Sequence, residues 1–437
     1  MPKYTLESCR IAINKNEAMP SEEIKIKLFD MVLCFSRALD LLHPAIADHH
    51  LRVAYIACCI AEELGFTPAE IQNVLIAGAL HDAGAASSAV RLGILDYALN
   101  SYRLDDAEIP EDIHKHGFEG FELIQDFPPF AQAASAIRFH HVDWDFGRGS
   151  EFAGEPVPLI ASILRLADRI AVTPVSEKSI LEQATEIREA VAADSGKLFM
   201  PEIVAAFQEV SARESFWLAM VSQNKESIIS RRFGKHEVKL NLETLGELAK
   251  MFGKIIDYRS PFTATHSSGV AAVAEMLGQR LGFSSTDSQS LRIAGYLHDI
   301  GKLAVPPEIL DKQGKLTQEE MLVVKQHPYH TFQILSMVPG LETINTWASL
   351  HHERLDRQGY PFRSREIPLG SRIIAVADIF TAITEDRPYR KGMDRTRSIE
   401  VLDQLVLDKA IDGAIVAVLR NDYDEFHRIR SLSQGSI

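Results

Sequence analysis

The sequence predicts an all-α protein built from two tandem, duplicated copies of one helical bundle. Two observations predict this architecture. Apolar residues recur at helical spacing through most of the chain, which is typical of helices packed against a core. In addition, AGALHDAGA at 77–85 returns as AGYLHDIGK at 294–302. Each copy therefore contains an apolar helix that ends on a His-Asp pair.

The repeat extends well beyond that phrase. A shift of 217 residues places LGFTPAEIQNVLIAGALHD on LGFSSTDSQSLRIAGYLHD without a gap. Further along, 24 residues separate His116 from His140, and the same 24 residues separate His327 from His351. Self-similarity held over this length indicates duplication of a whole domain.

The repeat also sets the predicted domain boundaries. Copy one is placed at 1–225 and copy two at 239–437, with a polar linker at 226–238. Within copy one, TPAEIQNVLIAGALHD begins with Thr67 and has Glu70 three residues later. This arrangement is a capping box, which predicts that a helix starts at this point.

Composition narrows the class of protein. The chain has 437 residues and a formal net charge of −14, which disfavours binding to nucleic-acid polymers and to anionic membranes. No apolar run reaches about 18 residues, so no membrane span is predicted. The four cysteines form no CxxC pair, and the N-terminal sequence does not resemble a signal peptide. We therefore expect a reduced, cytoplasmic protein.

Copy two contains seven side chains that can ligate metal: His266, His298, Asp299, His327, His351, His352 and Asp378. Copy one has the same residue types at nearly the same gaps: His49, His81, Asp82, His116, His140, His141 and Asp168. A single histidine usually caps a helix or packs in a core, but a whole set that occurs twice favours ligation. Imidazole and carboxylate without thiolate suit Fe, Mn, Ni or Zn in a catalytic site. Two ions bridged by one carboxylate can act on a phosphoryl group.

Three stretches of copy two resemble the HD-GYP phosphodiesterases, a branch of the HD-domain metal-dependent phosphohydrolases: HDIGK (298–302), HHERLDRQGYP (351–361) and EDRPYRKG (385–392). Copy one resembles a general HD domain outside that branch. The resemblance implies two HD-type helical bundles and a cluster of two divalent metals, most often Fe or Mn. It also implies that a metal-bridging hydroxide hydrolyses a cyclic dinucleotide, either cyclic di-GMP or the hybrid cyclic GMP-AMP, to a linear dinucleotide or to mononucleotides.

The resemblance further implies residue roles in copy two. One metal is held by His266, His298, Asp299 and Asp378. Asp299 bridges to the other metal, which is held by His327, His351 and His352. Asp299 and Lys302 are the predicted catalytic residues. Substrate is predicted to meet Lys302, Gly359, Tyr360, Pro361, Arg387 and Arg390. These types suit the task, because Arg binds phosphate bidentately and an aromatic face can stack on a base.

Copy two departs from the family pattern at three positions. Phe262 replaces a Glu that binds a third metal in some members, and Thr381 replaces the second Asp of the motif DxxDA. Both changes favour two metals. Arg357 replaces the usual glycine after Asp356, so the signature loop has an altered shape or an added phosphate contact.

Copy one keeps the candidate ligands but has Ala85 where copy two has Lys302, and it lacks the GYP and RPYR motifs. Three interpretations remain open for it. The first is a structural pseudo-domain, the second a metal- or nucleotide-binding regulator, and the third a hydrolase of a different phosphomonoester. The duplication fits either an intramolecular pseudo-dimer or a homodimer.

Two alternative functions also remain open for the whole chain. One is a receptor that binds a cyclic dinucleotide or a partner protein without cleavage, against which the intact ligand set counts. The other is an HD-type phosphohydrolase of ordinary nucleotides, against which the GYP and RPYR motifs count.

Overall fold

The computed structural model describes residues 25–41, 48–85, 111–174, 178–234, 236, 238–258, 265–386 and 390–435. The chain divides into two compact units at Val238 and Lys239. The N-terminal unit begins at Lys27, and the C-terminal unit begins at Lys239 and includes Ile26. The regular secondary structure of the described residues is almost all helical, so the all-α prediction is confirmed.

The helices of the N-terminal unit are, in chain order, α1 (Leu28–Asp40), α2 (His49–Glu63), α3 (Pro68–Leu80), α4 (Glu111–Ile124), α5 (Ala131–Arg138), α6 (Leu159–Val172), α7 (Ile180–Ala193), α8 (Pro201–Ser211), α9 (Glu214–Met220) and α10 (Lys225–Phe233). Two-residue strands also occur here, β2 (Glu151–Phe152) paired antiparallel with β3 (Glu155–Pro156).

The helices of the C-terminal unit are, in chain order, α11 (Leu242–Tyr258), α12 (His266–Leu281), α13 (Ser285–Leu297), α14 (Pro307–Leu310), α15 (Gln318–Val324), α16 (His327–Leu335), α17 (Glu342–Ser349), α18 (Leu369–Thr384), α19 (Arg395–Leu407), α20 (Gly413–Asn421) and α21 (Tyr423–Gly435). The remaining strands, β1 (Ile26–Lys27) and β4 (Lys239–Leu240), pair with each other.

The segment interpreted as a polar linker contains α10. Ile229 and Phe233 are buried, and α10 packs on α2 within the N-terminal unit. The apolar residues at i and i+4 give this helix a face for the core in spite of its basic composition. The segment at 226–238 therefore belongs to the N-terminal unit. The predicted domain boundaries themselves stay a prediction.

The two units place equivalent helices around their candidate ligands. α2 and α12 begin at His49 and His266, and α3 and α13 end one residue before the His-Asp pair. In α3 the capping box predicted at Thr67 is present, with Glu70 as its second member. Each unit therefore brings the first candidate ligand and the His-Asp pair together through the same two packed helices.

A glycine holds the turn after each His-Asp pair against the next ligand-bearing helix. A Cβ atom on Gly301 would meet the backbone oxygen of His327 at 1.9 Å, and one on Gly84 would meet that of His116 at 2.1 Å. Only glycine permits so close a backbone approach. The short distance from the His-Asp pair to the following histidine thus depends on this residue in both units.

None of the described helices combines the length and the apolar character that crossing a bilayer requires.

Candidate metal centre of the C-terminal unit

The Asp299 carboxylate lies between two groups of ligand atoms. Its Oδ1 atom is 3.3 Å from Nε2 of His327 and 3.9 Å from Nε2 of His351. Its Oδ2 atom is 3.2 Å from Nε2 of His298. A carboxylate whose two oxygens face different imidazoles has the geometry of a bridging ligand. Asp299 thus lies between the two groups, and its role as the bridging ligand stays a prediction.

The other ligand atoms cluster on either side of this carboxylate. Donor atoms of one trio lie within 4.8 Å of one another, and so do those of a second trio: His266, His298 and Asp378, and then His327, His351 and His352. In the first trio, Nε2 of His266 is 3.1 Å from Oδ1 of Asp378. All seven predicted ligands are thus brought together, and their assignment as metal ligands stays a prediction.

Backbone carbonyls fix the orientation of three of these imidazoles. Nδ1 of each ring donates a hydrogen bond to the carbonyl oxygen three residues earlier, at 2.7 Å for His298, 2.8 Å for His327 and 2.6 Å for His351. In a neutral imidazole this leaves the Nε2 lone pair directed at the cluster, which is the tautomer a metal needs.

Two buried atoms of the cluster lack a hydrogen-bond partner among the described residues, Nε2 of His298 and Oδ1 of Asp299. Buried polar atoms are normally satisfied, and leaving one unpaired costs about 1–3 kcal/mol. Divalent ions on the two sides of Asp299 would satisfy both atoms. The donor set, of imidazoles and carboxylates without thiolate, therefore fits the two-metal cluster that the sequence predicts.

The electrostatics of the cluster favour the metal-binding forms of His352 and Asp299. Burial, together with the charge of His327, lowers the pKa of His352 to about 3. Burial opposes the charged form of Asp299, but His298 and Lys302 outweigh it and hold the pKa of this carboxyl well below its usual range. His352 is therefore neutral and Asp299 ionised near pH 7, which are the forms that bind metal.

The N-terminal unit brings its own seven predicted ligands together in the same way. Oδ1 of Asp82 is 3.2 Å from Nε2 of His116, and Oδ2 is 3.3 Å from Nε2 of His81. Nε2 of His49 is 3.2 Å from Oδ1 of Asp168. The imidazoles of the second trio also meet, with Nε2 of His116 3.1–3.2 Å from those of His140 and His141.

Comparisons with known proteins agree with this geometry. HD-domain family models match residues 46–173 and residues 250–415. The 3'3'-cGAMP-specific phosphodiesterase 1 of Vibrio cholerae is 31% identical over 421 residues, which cover 93% of this chain and 94% of that protein. The chain belongs to the HD-GYP family.

Two further relatives of this HD-GYP protein are named as phosphodiesterases of cyclic dinucleotides. A crystal structure of a cyclic GMP-AMP-specific phosphodiesterase from V. cholerae is 26% identical with a TM-score of 0.63, covering 92% of this chain and 98% of that one. The cyclic di-GMP phosphodiesterase response regulator RpfG of Xanthomonas campestris is 39% identical over 154 residues, 34% of this chain and 40% of that protein. The predicted family is confirmed, and with it an enzyme that hydrolyses phosphodiester bonds.

Lys302 of the C-terminal unit lies at the edge of the cluster. Its ammonium donates to Oδ2 of Asp299 at 2.5 Å, while 29% of its side chain is exposed. Burial opposes its charge, but Asp299 and Asp378 raise the pKa of Lys302 above its ordinary value. A cation is therefore held between the carboxylate of Asp299 and solvent.

The aromatic ring of the HD-GYP loop lies against a candidate ligand. Tyr360 stacks on His352 with ring centroids 4.8 Å apart and an interplanar angle of 27°. The ammonium of Lys325 is 5.3 Å from the centroid of the same ring. Tyr360 thus supports the imidazole of His352, and stacking of its ring on a substrate base stays a prediction.

Gly359 packs against the backbone at the start of the GYP loop. A Cβ atom there would lie 2.6 Å from Cα of Glu353 and 2.7 Å from the carbonyl oxygen of His352. The glycine of the GYP motif is therefore required for backbone packing beside the cluster.

Sequence reasoning missed Glu353, which ties the loop down. Its buried carboxylate accepts three backbone N–H bonds, from Phe362 at 2.8 Å, Arg363 at 3.1 Å and Ser364 at 3.0 Å. Charge-assisted bonds of this kind are stronger than neutral ones. The only signal in the sequence was its place directly after the His-His doublet.

Replacing Glu353 by Ala should loosen the HD-GYP loop. Three backbone donors lose their acceptor, and Tyr360 loses its fixed position beside His352. We expect kcat/KM to fall about 10- to 100-fold and protease cleavage within residues 357–364 to become faster. Glu366→Ala is the matched control, because that side chain is exposed. Equal kinetics and equal cleavage rates in the two variants would remove this role.

Glu385 was also missed. Nδ1 of His266 donates to Oε2 of Glu385 at 3.2 Å, and Nε2 of Gln434 donates to the same oxygen at 3.0 Å. A carboxylate behind a ligating imidazole fixes the ring and raises its basicity. The signal was present in EDRPYRKG, but that motif directed attention to the arginines instead.

The predicted arginine contacts are only partly placed. Arg390 is exposed, and its guanidinium donates to the carbonyl oxygen of Ala382 at 2.7 Å. Arg387 lies outside the described residues, as does Phe262 of the third-metal argument. Thr381 is fully buried on α18, where the family motif would place an Asp. The contacts of Arg387 and Arg390 with substrate stay predictions.

Proposed function

We propose that the C-terminal unit hydrolyses a cyclic dinucleotide at a centre of two divalent metals. The observation that carries the proposal is the combination of the Asp299 cluster with Lys302 and the GYP loop. The N-terminal unit has an equivalent cluster but has Ala85 in place of Lys302 and lacks the loop sequence. The groups suited to a phosphodiester thus belong to the C-terminal unit.

The seven candidate ligands would hold the two ions, with Asp299 between them. Once bound there, the ions would activate a water molecule and neutralise charge on the phosphate. In the reaction the water oxygen forms a bond to phosphorus, the bond from phosphorus to the ribose oxygen breaks, and the ribose oxygen gains a proton. The product is a linear dinucleotide with a terminal phosphate.

The chain's own residues do the positioning. Lys302 places an ammonium where negative charge develops on the phosphoryl oxygens, which stabilises the transition state. The loop that carries Tyr360 lies beside the cluster, and Glu353 holds it there through hydrogen bonds to its backbone. Arg390 supplies an exposed cation. Because Lys302 bonds to Asp299, it also fixes the orientation of the bridging carboxylate.

The hybrid 3'3'-cGAMP is the substrate we favour. A relative that is similar over 94% of its own length, and so over both units, is named for that compound. The match to the cyclic di-GMP enzyme RpfG covers only 34% of this chain. We favour Fe or Mn as the metals because the family resemblance implies them, with Ni or Zn as alternatives because imidazole and carboxylate ligands accept all four.

A substrate panel tests the proposal. The purified chain, loaded with Fe²⁺ or Mn²⁺ under reducing conditions, should convert 3'3'-cGAMP to a linear dinucleotide detected by chromatography, with cyclic di-GMP cleaved more slowly. Metal analysis of the same sample shows whether the centre is loaded. Stoichiometric binding of cyclic dinucleotide without product, in a metal-replete sample, would favour a receptor instead. Faster hydrolysis of ordinary nucleotides would favour a general HD phosphohydrolase.

A further inference from the structure

The two units differ at one buried position next to the first candidate ligand. In the C-terminal unit that position is Ser267, which donates its N–H and its hydroxyl to Asp257 at 2.9 and 2.8 Å. At the same shift of 217 residues, the N-terminal unit has His50 facing Asp40. The serine hydroxyl of the C-terminal unit is satisfied by its bond to Asp257. The imidazole that replaces it has a second nitrogen, Nε2, besides the one that faces Asp40.

Asp40 fixes which nitrogen of His50 is available. Nδ1 of His50 is 2.5 Å from Oδ1 of Asp40, a distance at which the ring N–H donates to the carboxylate. The Nε2 atom is left with a lone pair. It is fully buried and has no hydrogen-bond partner among the described residues, and it lies 3.8 Å from Oδ2 of Asp82. A carboxylate, an imidazole and an unpaired Nε2 in this order form the arrangement that orients metal-binding histidines.

The position of the ring agrees with ligation of the same ion as its neighbours. Its centroid is 5.4 Å from that of His49 and 5.2 Å from that of His81, while His49 and His81 are 5.1 Å apart. Nε2 of His49 is also 3.8 Å from Oδ2 of Asp82, the same separation as for His50. Two atoms that each lie about 2.1 Å from one ion are about 3–4 Å apart. The two Nε2–Oδ2 separations of 3.8 Å therefore fit a shared metal.

We propose that His50, oriented by Asp40, is an additional metal ligand found in the N-terminal unit and without an equivalent at Ser267. The ion on the Oδ2 side of Asp82 then has five protein ligands: His49, His50, His81, Asp82 and Asp168. The equivalent ion of the C-terminal unit would have four: His266, His298, Asp299 and Asp378.

The extra ligand changes what the centre can do. A six-coordinate Fe or Mn ion with four protein ligands keeps two positions for water and a phosphate oxygen. With five protein ligands it keeps one. The N-terminal centre therefore holds its metal more tightly and has less room for substrate, which agrees with Ala85 in place of the catalytic cation. This inference concerns metal binding in the N-terminal unit and does not depend on the reaction of the C-terminal unit.

The test measures metal retention, with activity as a separate readout. In a full-length Asp299→Ala chain, which weakens the C-terminal centre, His50→Ser installs the residue that the C-terminal unit carries. After loading with Mn²⁺, we expect release into excess chelator to be at least about tenfold faster than in the Asp299→Ala parent, and the retained Mn²⁺ per chain to fall. His236→Ser makes the same chemical change at an exposed histidine and should match the parent.

Asp40→Asn in the same background provides the second variant. It keeps the ring and weakens its orientation, so Mn²⁺ release should fall between the parent and His50→Ser. If His50→Ser loses helical content in circular dichroism, the Asp40→Asn release rate decides the question. Release rates and Mn²⁺ content equal to the parent in a folded His50→Ser chain, or in Asp40→Asn where His50→Ser fails to fold, would overturn the proposal. Loss of 3'3'-cGAMP turnover in the wild-type chain would bear only on the proposed function.

Discussion

Asp299→Ala is expected to abolish hydrolysis of the cyclic dinucleotide and to remove most of the metal bound by the C-terminal unit. Oδ1 faces His327 and Oδ2 faces His298, so the substitution would remove a ligand from both ions of the proposed centre at once. Two-metal catalysis contributes several kcal/mol to the transition state, which corresponds to a loss of about 10³-fold or more in kcat. The measurements are initial rates and metal content by elemental analysis.

The duplication offers a matched comparison at Asp82. Asp82→Ala makes the same change at the equivalent position of the N-terminal unit, where Oδ1 faces His116 and Oδ2 faces His81. It should remove metal from that unit and lower kcat by less than about tenfold. A folded Asp299→Ala chain that keeps its rate would end the proposed mechanism. A collapse of the rate in Asp82→Ala alone would move the active site to the N-terminal unit.

The sequence predicted the parts of this protein that depend on local pattern. The helical class followed from apolar periodicity, and the start of α3 followed from the capping box of Thr67 and Glu70. The two sets of candidate ligands followed from residue types whose spacing recurs, because a bundle with equivalent helices places equivalent positions at equivalent points. No contact needed to be known for either inference.

What the sequence could not supply are contacts that depend on how the helices pack and how the loops fold. Glu385 meets His266 across 119 residues, and Glu353 reaches the backbone of a loop whose path is set by Gly359. His50 is adjacent to His49 in the sequence, but the role proposed for it depends on Asp40, which lies on another helix. Charged residues near a motif are common, and only packing distinguishes the few that support it.

Lys302→Ala is expected to lower kcat about 10²- to 10³-fold while the C-terminal unit keeps its metal. The ammonium is 2.5 Å from the carboxylate of Asp299, yet it is a donor and not a ligand. Its removal takes a positive charge away from the two cations, which does not weaken metal binding. The N-terminal unit already has alanine at the equivalent position, Ala85. Elemental analysis and steady-state kinetics on one preparation separate the two effects.

The pattern of kinetic change then identifies what Lys302 does. If it stabilises charge in the transition state, kcat falls and KM changes little, and Lys302→Arg recovers part of the rate because it keeps a cation. Lys312→Ala is the control, since that ammonium pairs with Glu320 on an exposed surface. Metal loss in step with the rate would show instead that Lys302 acts by holding Asp299 in its bridging orientation. An unchanged kcat would leave the difference between the two units to the GYP loop and the arginines, because Lys302 is the one cation that contacts the bridging carboxylate among the described residues of the C-terminal unit.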